Sequence, residues 1–315
     1  MTPARQATAF APATVANVAV GFDLLGFAVG GFGDTVTVRR IEEPTVRILS
    51  VTGLPQPLPL DASLNTAGVV LIGLRKKLGL DFGFEVEVQK GIPLGSGMGG
   101  SAASAVGALV AANAVLDRPQ TLTDLFCLSL LGETLAGGAP HGDNVGPCLF
   151  GGLLLARRVE PPDLVPLPVP PELRGVLVHP GICVNTREAR GILRPEISLR
   201  AFVDQSANLA GFMAACFTCD YDLLRRSLED LVIEPQRAHL IPGFAEAKAA
   251  ALSAGALGFS ISGSGPSVFA LTRGDEDATR VRQAVSEVFA RHSLPCDEWA
   301  GPISREGASV VELNP

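Results

Sequence analysis

Long hydrophobic runs are missing from this 315-residue sequence, in which no apolar stretch reaches about 18 residues without a glycine, a proline or a polar residue. The sequence therefore predicts no membrane-spanning helix, and its first ten residues lack the apolar core of a signal peptide. Basic runs are missing as well, and 25 Lys and Arg against 32 Asp and Glu give a net charge of −7. We therefore expect neither a membrane nor a nucleic acid as a partner.

Cysteine is too sparse for a disulfide scaffold, with six residues in a chain of this length. A lone C-x-x-C pair, Cys216 and Cys219, lies in a helix-like stretch without a second pair. Core thiols are therefore favoured over a redox or zinc site. A reducing, cytoplasmic location is expected.

The length of the chain exceeds that at which a single core stops growing, and it predicts two domains. Six prolines crowd residues 161–171, which is typical of a linker or a domain edge. The predicted domains are therefore residues 1–160 and 161–315. Strand and helix patterns mix without a regular βαβ repeat, which predicts an α+β fold in two layers.

One glycine-rich stretch, KGIPLGSGMGGSAA at residues 90–103, stands between a predicted strand and a predicted helix. Apolar and polar residues alternate over residues 84–89, as in a half-buried strand, and residues 101–116 are mostly Ala, Val and Leu, as in a helix. Glycines allow positive φ angles and close approach of a ligand to the backbone. Because a helix N-terminus also has unpaired N–H groups, the stretch predicts an anion site, most often one for phosphate.

The residues alone leave the phosphate ligand open. Residues 95–100 match the G-x-G-x-x-G fingerprint of dinucleotide-binding dehydrogenases, but no acidic residue ends a second strand, since Asp117 directly follows the helix. The stretch also lacks the Gly-Lys-Ser/Thr of a Walker A loop. A purely structural turn is less favoured, because five glycines fall within ten residues.

Two further stretches hold polar residues among turn formers. Asn17 and Asp23 predict either a polar site at a sheet edge or an Asx turn, and the residues alone favour the turn. A loop is predicted over residues 137–147, which hold His141, Asp143 and Asn144. A strand is predicted at residues 148–156, and residues 180–194 predict another loop.

Three separated stretches together resemble the motifs of the GHMP small-molecule kinases. They are APATVANVAVGFD at residues 11–23, PLGSGMGGSA at residues 93–102 and SGSGPS at residues 262–267. Within that family, HGDNVGPCLFGG at residues 141–152 and NTREAR at residues 185–190 resemble the members that phosphorylate L-homoserine. The resemblance spans the chain from end to end and is far more specific than one glycine loop.

The resemblance implies a two-domain α+β GHMP kinase fold, with an N-terminal domain like the second domain of ribosomal protein S5 and a ferredoxin-like C-terminal domain. It implies transfer of a phosphoryl group from ATP, with Mg²⁺, to the side-chain hydroxyl of L-homoserine, a step towards threonine. It also suggests a homodimer. The glycine stretch agrees with this, because phosphoryl transfer needs a cradle, a metal and aligned oxygens more than covalent chemistry.

The resemblance also implies roles for single residues on the nucleotide side. Ser101 and Glu133 match the residues that hold Mg²⁺, which prefers a few hard oxygen ligands. The family has Ser-Ser where this chain has Gly100 and Ser101, so one hydroxyl near the phosphates is lost. The positions that match the nucleotide site are Pro93, Leu94, Gly95, Ser96, Gly97, Met98, Gly99, Gly100, Ser101, Ala102, Ala103 and Asn65.

On the substrate side, Asn17 and Asp23 match the residues that hold the hydroxyl and the amine of homoserine. Arg190 and Arg237 match those that bind its carboxylate, a role for which the planar fork of Arg is suited. Residues 263–265 would close over the ligands as a flap. Further positions matched to the substrate site are His141, Thr186, Gly263 and Ser264.

The resemblance marks three candidate catalytic residues, Asn144, Asp23 and His141, of which Asn144 and His141 match a loop beside the transferred phosphate. It implies no dedicated base, with the phosphate itself taking the proton. Asp23 is the strong local candidate for a base, but a carboxylate that holds the amine is poorly placed for that duty. We therefore expect catalysis by positioning and charge neutralisation.

Two alternatives stay open. Another GHMP kinase, such as a mevalonate-type or other isoprenoid-pathway enzyme, would share the nucleotide motifs, although the paired amide, carboxylate and guanidinium side chains favour an amino-acid substrate. A non-enzymatic sensor of the same family would bind ligand without turnover, although the retained Ser101 and Glu133 argue against it.

Overall fold

A computed structural model describes residues 4–314, which form eleven β-strands and ten α-helices. The strands of a first sheet are β1 (Gln6–Ala16), β2 (Leu25–Ile41), β3 (Val46–Thr52), β4 (Gly83–Gln89), β5 (Leu153–Val159), β6 (Pro162–Leu167) and β11 (Ser309–Asn314). Their order is β11-β1-β2-β4-β3, with β5 paired to β2 and β6 paired to β5. The alternation predicted for β4 is confirmed, since Phe84, Val86 and Val88 are buried.

Three helices pack on this sheet, namely α1 (Thr66–Leu78), α2 (Gly100–Ala114) and α4 (Gly142–Phe150), and a fourth, α3 (Leu122–Gly137), packs on these helices. Helix α2 lies on β1 and β2 and also contacts the other three helices. Ten of its fifteen residues are buried, and most of these are alanines. A helix that is apolar all round belongs in the core, so the N-terminus of α2 is held at a fixed place.

A second sheet, in the order β10-β7-β9-β8, contains β7 (Leu173–Pro180), β8 (Gly258–Ile261), β9 (Val268–Arg273) and β10 (Cys296–Pro302). The other helices are α5 (Thr186–Gly191), α6 (Leu199–Thr218), α7 (Tyr221–Ser227), α8 (Glu234–Arg237), α9 (Phe244–Ser253) and α10 (Gly274–Arg291). Helices α9 and α10 pack on this sheet around Phe244, Phe259 and Phe289. The β-α-β-β-α-β arrangement confirms the predicted ferredoxin-like C-terminal part and the α+β class.

The loop predicted over residues 137–147 and the strand predicted over residues 148–156 are both wrong in part. Residues Gly142–Phe150 form α4, and β5 begins only at Leu153. Val145, Cys148 and Leu149 are buried, at the spacing that gives a helix one apolar face. Burial of that face against the sheet outweighs the turn preference of the local glycines and the proline.

The proline-rich segment predicted as a linker forms β6, which pairs only with β5 within residues 4–314. An edge strand tolerates proline because one side of its backbone needs no N–H donor. Helix α5 lies within the loop predicted over residues 180–194, where the Asn185 side chain caps it. The division at residue 160 stays a prediction, and residues 1–3 and 315 of the predicted domains lie outside the described chain.

No helix within residues 4–314 is long and apolar enough to cross a membrane. The six cysteines are free thiols. Cys216 is buried on α6, where burial raises the pKa of its thiol to about 12, as expected for a core thiol. Cys219 is exposed, so the prediction of a core thiol is wrong for it.

Candidate active site

Most of the residues predicted for nucleotide, metal and substrate converge on one cavity of about 330 Å³. The predicted residues that line it are Asn17, Asp23, Asn65, Pro93, Leu94, Gly95, Ser96, Gly97, Gly99, Gly100, Ser101, Glu133, His141, Asn144, Thr186, Arg190, Arg237, Gly263 and Ser264. Three other predicted residues, Met98, Ala102 and Ala103, lie in the hydrophobic core instead. Any contact of these three with a ligand would therefore be through the backbone.

The glycine stretch turns through three left-handed residues before α2 begins. Gly95, Gly97 and Gly99 have φ angles of 60°, 76° and 71°. Gly99 is the N-cap of α2, and no side chain caps the helix there. The first N–H groups of α2 are therefore available to an anion, and the positive end of the helix dipole adds to the attraction.

Segments distant in sequence hold this stretch in place. Its carbonyl oxygens accept five hydrogen bonds from such segments, from Thr14 N to Met98 O (3.1 Å), Ser262 Oγ to Gly97 O (2.8 Å), Ser267 N to Ser96 O (3.1 Å), Val184 N to Gly95 O (3.1 Å) and Cys183 Sγ to Leu94 O (3.2 Å). The three motifs of the sequence therefore meet at one point, where the loop of the second sheet touches the glycine stretch of the first domain.

Gly97 has no room for a side chain. A Cβ there would lie 2.4 Å from Ser262 O and 2.7 Å from Gly265 O, in addition to the positive φ. We expect Gly97→Ala to unfold at lower denaturant than Gly79→Ala, because Gly79 has a φ of 61° but no heavy atom within 4 Å of its Cβ position. The left-handed φ alone costs roughly 1–2 kcal/mol. Urea unfolding of both variants checks this, and equal losses would show that the clash is relieved.

Ser101, in the first turn of α2, contacts Glu133 on α3. Ser101 Oγ donates a hydrogen bond of 3.1 Å to Glu133 Oε1. Burial raises the pKa of Glu133 to about 7, and the Ser101 hydrogen bond opposes this shift. The buried carboxylate would be stabilised by a positive partner. Together with the neighbouring hydroxyl, it offers two hard oxygen ligands of the kind that Mg²⁺ takes.

The turn after β1 is strained and carries two of the predicted substrate residues. Asn17, Val18, Ala19 and Asp23 all have φ angles between 45° and 70°. Asn17 Oδ1 accepts from Asp23 N (3.0 Å), while Asn17 Nδ2 donates to Gly263 O (2.9 Å). The Asn17 amide therefore closes the turn through a bond six residues on, longer than the two-residue span of an Asx turn, and also bonds to the second glycine loop. Strain of this kind collects at functional sites.

Asp23 is paired with Arg190 from α5. Arg190 Nη2 and Nη1 donate to the two carboxylate oxygens of Asp23 at 2.7 and 3.0 Å. His141 Nε2 lies 3.4 Å from Asp23 Oδ2. Burial lowers the pKa of His141, Arg190 lowers it further, and Asp23 acts in the opposite direction. The imidazole is therefore neutral at neutral pH.

Arg237 is a second cation at the same end of the cavity, with 3% of its surface exposed. It donates to Ala189 O and Gly263 O, both at 3.0 Å, and no carboxylate within residues 4–314 forms an ion pair with it. Burial and then Arg190 lower its pKa to about 10, so it stays charged at neutral pH. The Phe22 ring lies 5.3 and 5.4 Å from the two guanidinium carbons. A buried cation whose protein partners are backbone carbonyls is a candidate for binding an anion.

Four other predicted residues hold the walls of the cavity together. Asn144 Oδ1 accepts from Thr14 Oγ1 (2.7 Å), and Asn65 caps α1 by accepting from Ala67 N (3.0 Å). Thr186 Oγ1 and Ser264 Oγ are 3.2 Å apart, so α5 and the second glycine loop touch across the opening. These contacts are structural, and ligand binding by the same residues stays a prediction.

Asp143 lines the cavity but was not among the predicted site residues. It is 4% exposed, and burial, followed by the charges of Asp23 and Glu133, raises its pKa to about 8. The only sequence signal was its place between His141 and Asn144 in the homoserine-like segment. A buried carboxyl group in a polar cavity is a candidate for ligand binding.

The raised pKa of Asp143 predicts a pH-dependent stability. The folded chain keeps a proton that the unfolded chain loses near 3.8, so stability falls as pH rises from about 4 to about 8. Asp143→Asn should therefore lose less stability than wild type between about pH 5 and pH 9, by a few kcal/mol. Urea unfolding of both proteins at about pH 5 and at about pH 9 checks this, with Asp81→Asn as the control because Asp81 is exposed. Equal slopes in wild type and Asp143→Asn would contradict it.

Comparison with known proteins agrees with this geometry. The family models for the GHMP kinases N terminal domain and the GHMP kinases C terminal domain match residues 65–152 and 212–291. The chain is 52% identical to the homoserine kinase of Xanthomonas campestris pv. campestris, over 98% of this chain and 94% of that protein. It is 45% identical to the homoserine kinase of Chloroherpeton thalassium, over 98% of this chain and all of the relative.

Solved structures show the same fold. The crystal structure of homoserine kinase from Cytophaga hutchinsonii superposes with a TM-score of 0.94 at 44% identity, covering 97% of both chains. L. major mevalonate kinase, at 15% identity and a TM-score of 0.70, shares the fold alone. The predicted two-domain GHMP kinase fold is thereby confirmed, and the chain belongs to the homoserine kinase family of the GHMP kinases.

Proposed function

We propose that this chain transfers the terminal phosphoryl group of ATP to the side-chain hydroxyl of L-homoserine, giving O-phospho-L-homoserine for threonine synthesis. The observation that carries the proposal is one cavity with an uncapped helix N-terminus at one end and the charges of Asp23, Arg190 and Arg237 at the other. The first end suits a polyphosphate, and the second suits a zwitterionic amino acid.

On the nucleotide side, the residues fit MgATP. The α2 amides would bind the phosphates, and Gly97 allows the second glycine loop to pack against the stretch, where a Cβ has no room. Ser101 and Glu133 would hold Mg²⁺, which when bound neutralises charge on the phosphates. No group of three or more His, Cys, Asp and Glu side chains in residues 4–314 could hold a metal by itself. A shared site of protein and phosphate oxygens is what Mg²⁺ usually takes.

On the substrate side, the ion pair between Asp23 and Arg190 favours an amino acid. An amino acid brings an ammonium for Asp23 and a carboxylate for Arg190 and Arg237, so every charge keeps a partner when the pair opens. A mevalonate-type acceptor brings a carboxylate and no ammonium, so Asp23 would lose its partner if Arg190 turned to that carboxylate. Uncompensated charge in a part-buried site is unfavourable, which argues against that second candidate.

Proton transfer by a dedicated base has little support from the side chains. Asp23 is engaged by Arg190, and Asp143, whose pKa lies at about 8, holds a proton at neutral pH. The site therefore acts by holding the two substrates in line and by neutralising charge.

A coupled assay of ADP release tests the proposal, with the product identified by mass spectrometry. We expect release with MgATP and L-homoserine, and none when mevalonate replaces homoserine. ADP release with mevalonate but not with L-homoserine would support the mevalonate-type kinase. No ADP release with any acceptor would support a sensor that binds ligand without turnover. We also propose a cytoplasmic location, with which the free thiols are compatible. The homodimer that the family suggests is a further proposal, and light scattering would measure the oligomeric state.

A further inference from the structure

A buried cluster of three polar side chains lies beside the start of α2, and the residues assigned above do not include it. It consists of Asp34 from β2, Lys90 directly after β4 and Ser104 from α2. Asp34 and Lys90 form an ion pair with side-chain exposures of 0% and 3%. Both Lys90 and Ser104 also line the cavity. The cluster therefore forms part of the wall behind the phosphate end.

All three donors of the Lys90 ammonium are used within the protein. One goes to the Asp34 carboxylate, one to Gly100 O at 2.7 Å and one to Ser104 Oγ at 2.9 Å. Because a Lys ammonium has three N–H donors, none is left for a phosphate oxygen in this arrangement. Lys90 therefore links the chain after β4 to the first residue of α2. It does not contact a phosphate in this arrangement, although a lysine at the cavity would suggest that role.

The Asp34 carboxylate holds the other end of the glycine stretch. Its Oδ1 accepts from Gly91 N at 3.1 Å and from Ile92 N at 3.3 Å, and its Oδ2 accepts from Ser104 Oγ at 2.7 Å. The chain leaving β4 and the chain starting α2 are thus attached to one buried ion pair. The glycines between them have little stiffness of their own, so the two attachments set where the amides point.

We propose that Asp34, Lys90 and Ser104 are positioning residues for the nucleotide. They fix the glycine stretch and the N-terminus of α2 relative to each other before ATP binds. A preorganised set of N–H donors binds an anion more tightly than one that must be ordered on binding. The inference rests on the proposed function only in taking a nucleotide as the phosphate ligand, and it does not depend on homoserine.

A matched pair of serine variants tests the cluster without removing a charge. Ser104 Oγ lies 3.2 Å from the carbonyl oxygen four residues back, and Ser129 Oγ on α3 donates to its own at 2.8 Å, but only Ser104 also contacts the ion pair, to which it gives its one proton. We expect Ser104→Ala to raise the MgADP dissociation constant roughly five- to tenfold in a calorimetric titration. Ser129→Ala, equally buried, should leave it within about twofold. Equal constants for both would overturn the proposal.

The double variant Asp34→Asn/Lys90→Met removes both charges together, so no unpaired charge is left buried. The side-chain oxygen of the introduced Asn can still accept from the Gly91 and Ile92 N–H groups, whereas the hydrogen bond from Lys90 to Gly100 O is lost. We expect a folded protein whose MgADP dissociation constant and KM for ATP rise at least roughly tenfold, with the KM for homoserine unchanged.

A folded double variant that binds MgADP like wild type would show that the pair only stabilises the fold, and would overturn the proposal. If the double variant fails to fold, the serine comparison decides. The MgADP titration uses no acceptor, so its result is independent of whether homoserine is the substrate.

Discussion

The Glu133→Gln variant is expected to lose roughly 10²-fold or more in kcat at saturating ATP and L-homoserine, because an amide cannot hold Mg²⁺ as a carboxylate does. The amide can still accept the hydrogen bond from Ser101 Oγ, so the local geometry is kept. Steady-state rates over a range of Mg²⁺ concentrations measure the effect, and the Mg²⁺ requirement should rise. Ser101→Ala removes the neutral ligand and should raise that requirement less. A Glu133→Gln enzyme with unchanged kcat and Mg²⁺ requirement would exclude this carboxylate from the metal site.

The stability of Glu133→Gln separates lost chemistry from lost folding. Burial raises the pKa of Glu133 from 4.5 to about 7, so wild-type stability falls as pH rises through that interval. Above it, the folded chain holds a buried charge that Gln lacks. At about pH 8 without nucleotide, the variant should therefore be more stable than wild type, by up to about 3 kcal/mol. A less stable variant would mean that Glu133 has a second, structural role.

Local patterns predicted the elements whose burial follows a regular period. The alternation of residues 84–89 predicted β4, and the apolar run after the glycines predicted α2. The same reasoning missed α4 and β6, because their prolines and glycines are read locally as turns. Only packing against the sheet decides these segments, by burying Val145 and Leu149 and by placing β6 at an edge.

Site residues were predicted where they match a family motif. Residues whose role depends on their burial in the folded chain were missed. Asp143 is an ordinary loop carboxyl group in the sequence, and its pKa near 8 arises from desolvation beside two other carboxylates. Asp34 and Lys90 are 56 residues apart and meet only because β2 and β4 are neighbours. A local pattern carries no signal for a pair of that kind.

Arg237→Gln is expected to lower kcat/KM for L-homoserine by roughly 10²- to 10³-fold, with little change in the KM for ATP. Arg237 is a buried cation whose protein partners are two backbone carbonyls, so its charge is left for the substrate carboxylate. Arg187→Gln is the control, because Arg187 donates to a backbone carbonyl, Leu135 O at 3.0 Å, but is exposed and does not line the cavity. Equal losses in the two variants would show that the effect is not specific to Arg237 and would contradict its role in substrate binding.

A truncated acceptor identifies which group of the substrate Arg237 binds. 3-Aminopropan-1-ol has the ammonium and the hydroxyl of homoserine but no carboxylate, so wild type should use it poorly. If Arg237 binds the carboxylate, Arg237→Gln loses activity on homoserine and almost none on the amino alcohol, and the preference between the two collapses. Asp23→Asn should instead lower activity on both acceptors, since both carry the ammonium. An Arg237→Gln enzyme that keeps the full preference would place the carboxylate elsewhere, because a lost contact must show in the difference between the two acceptors.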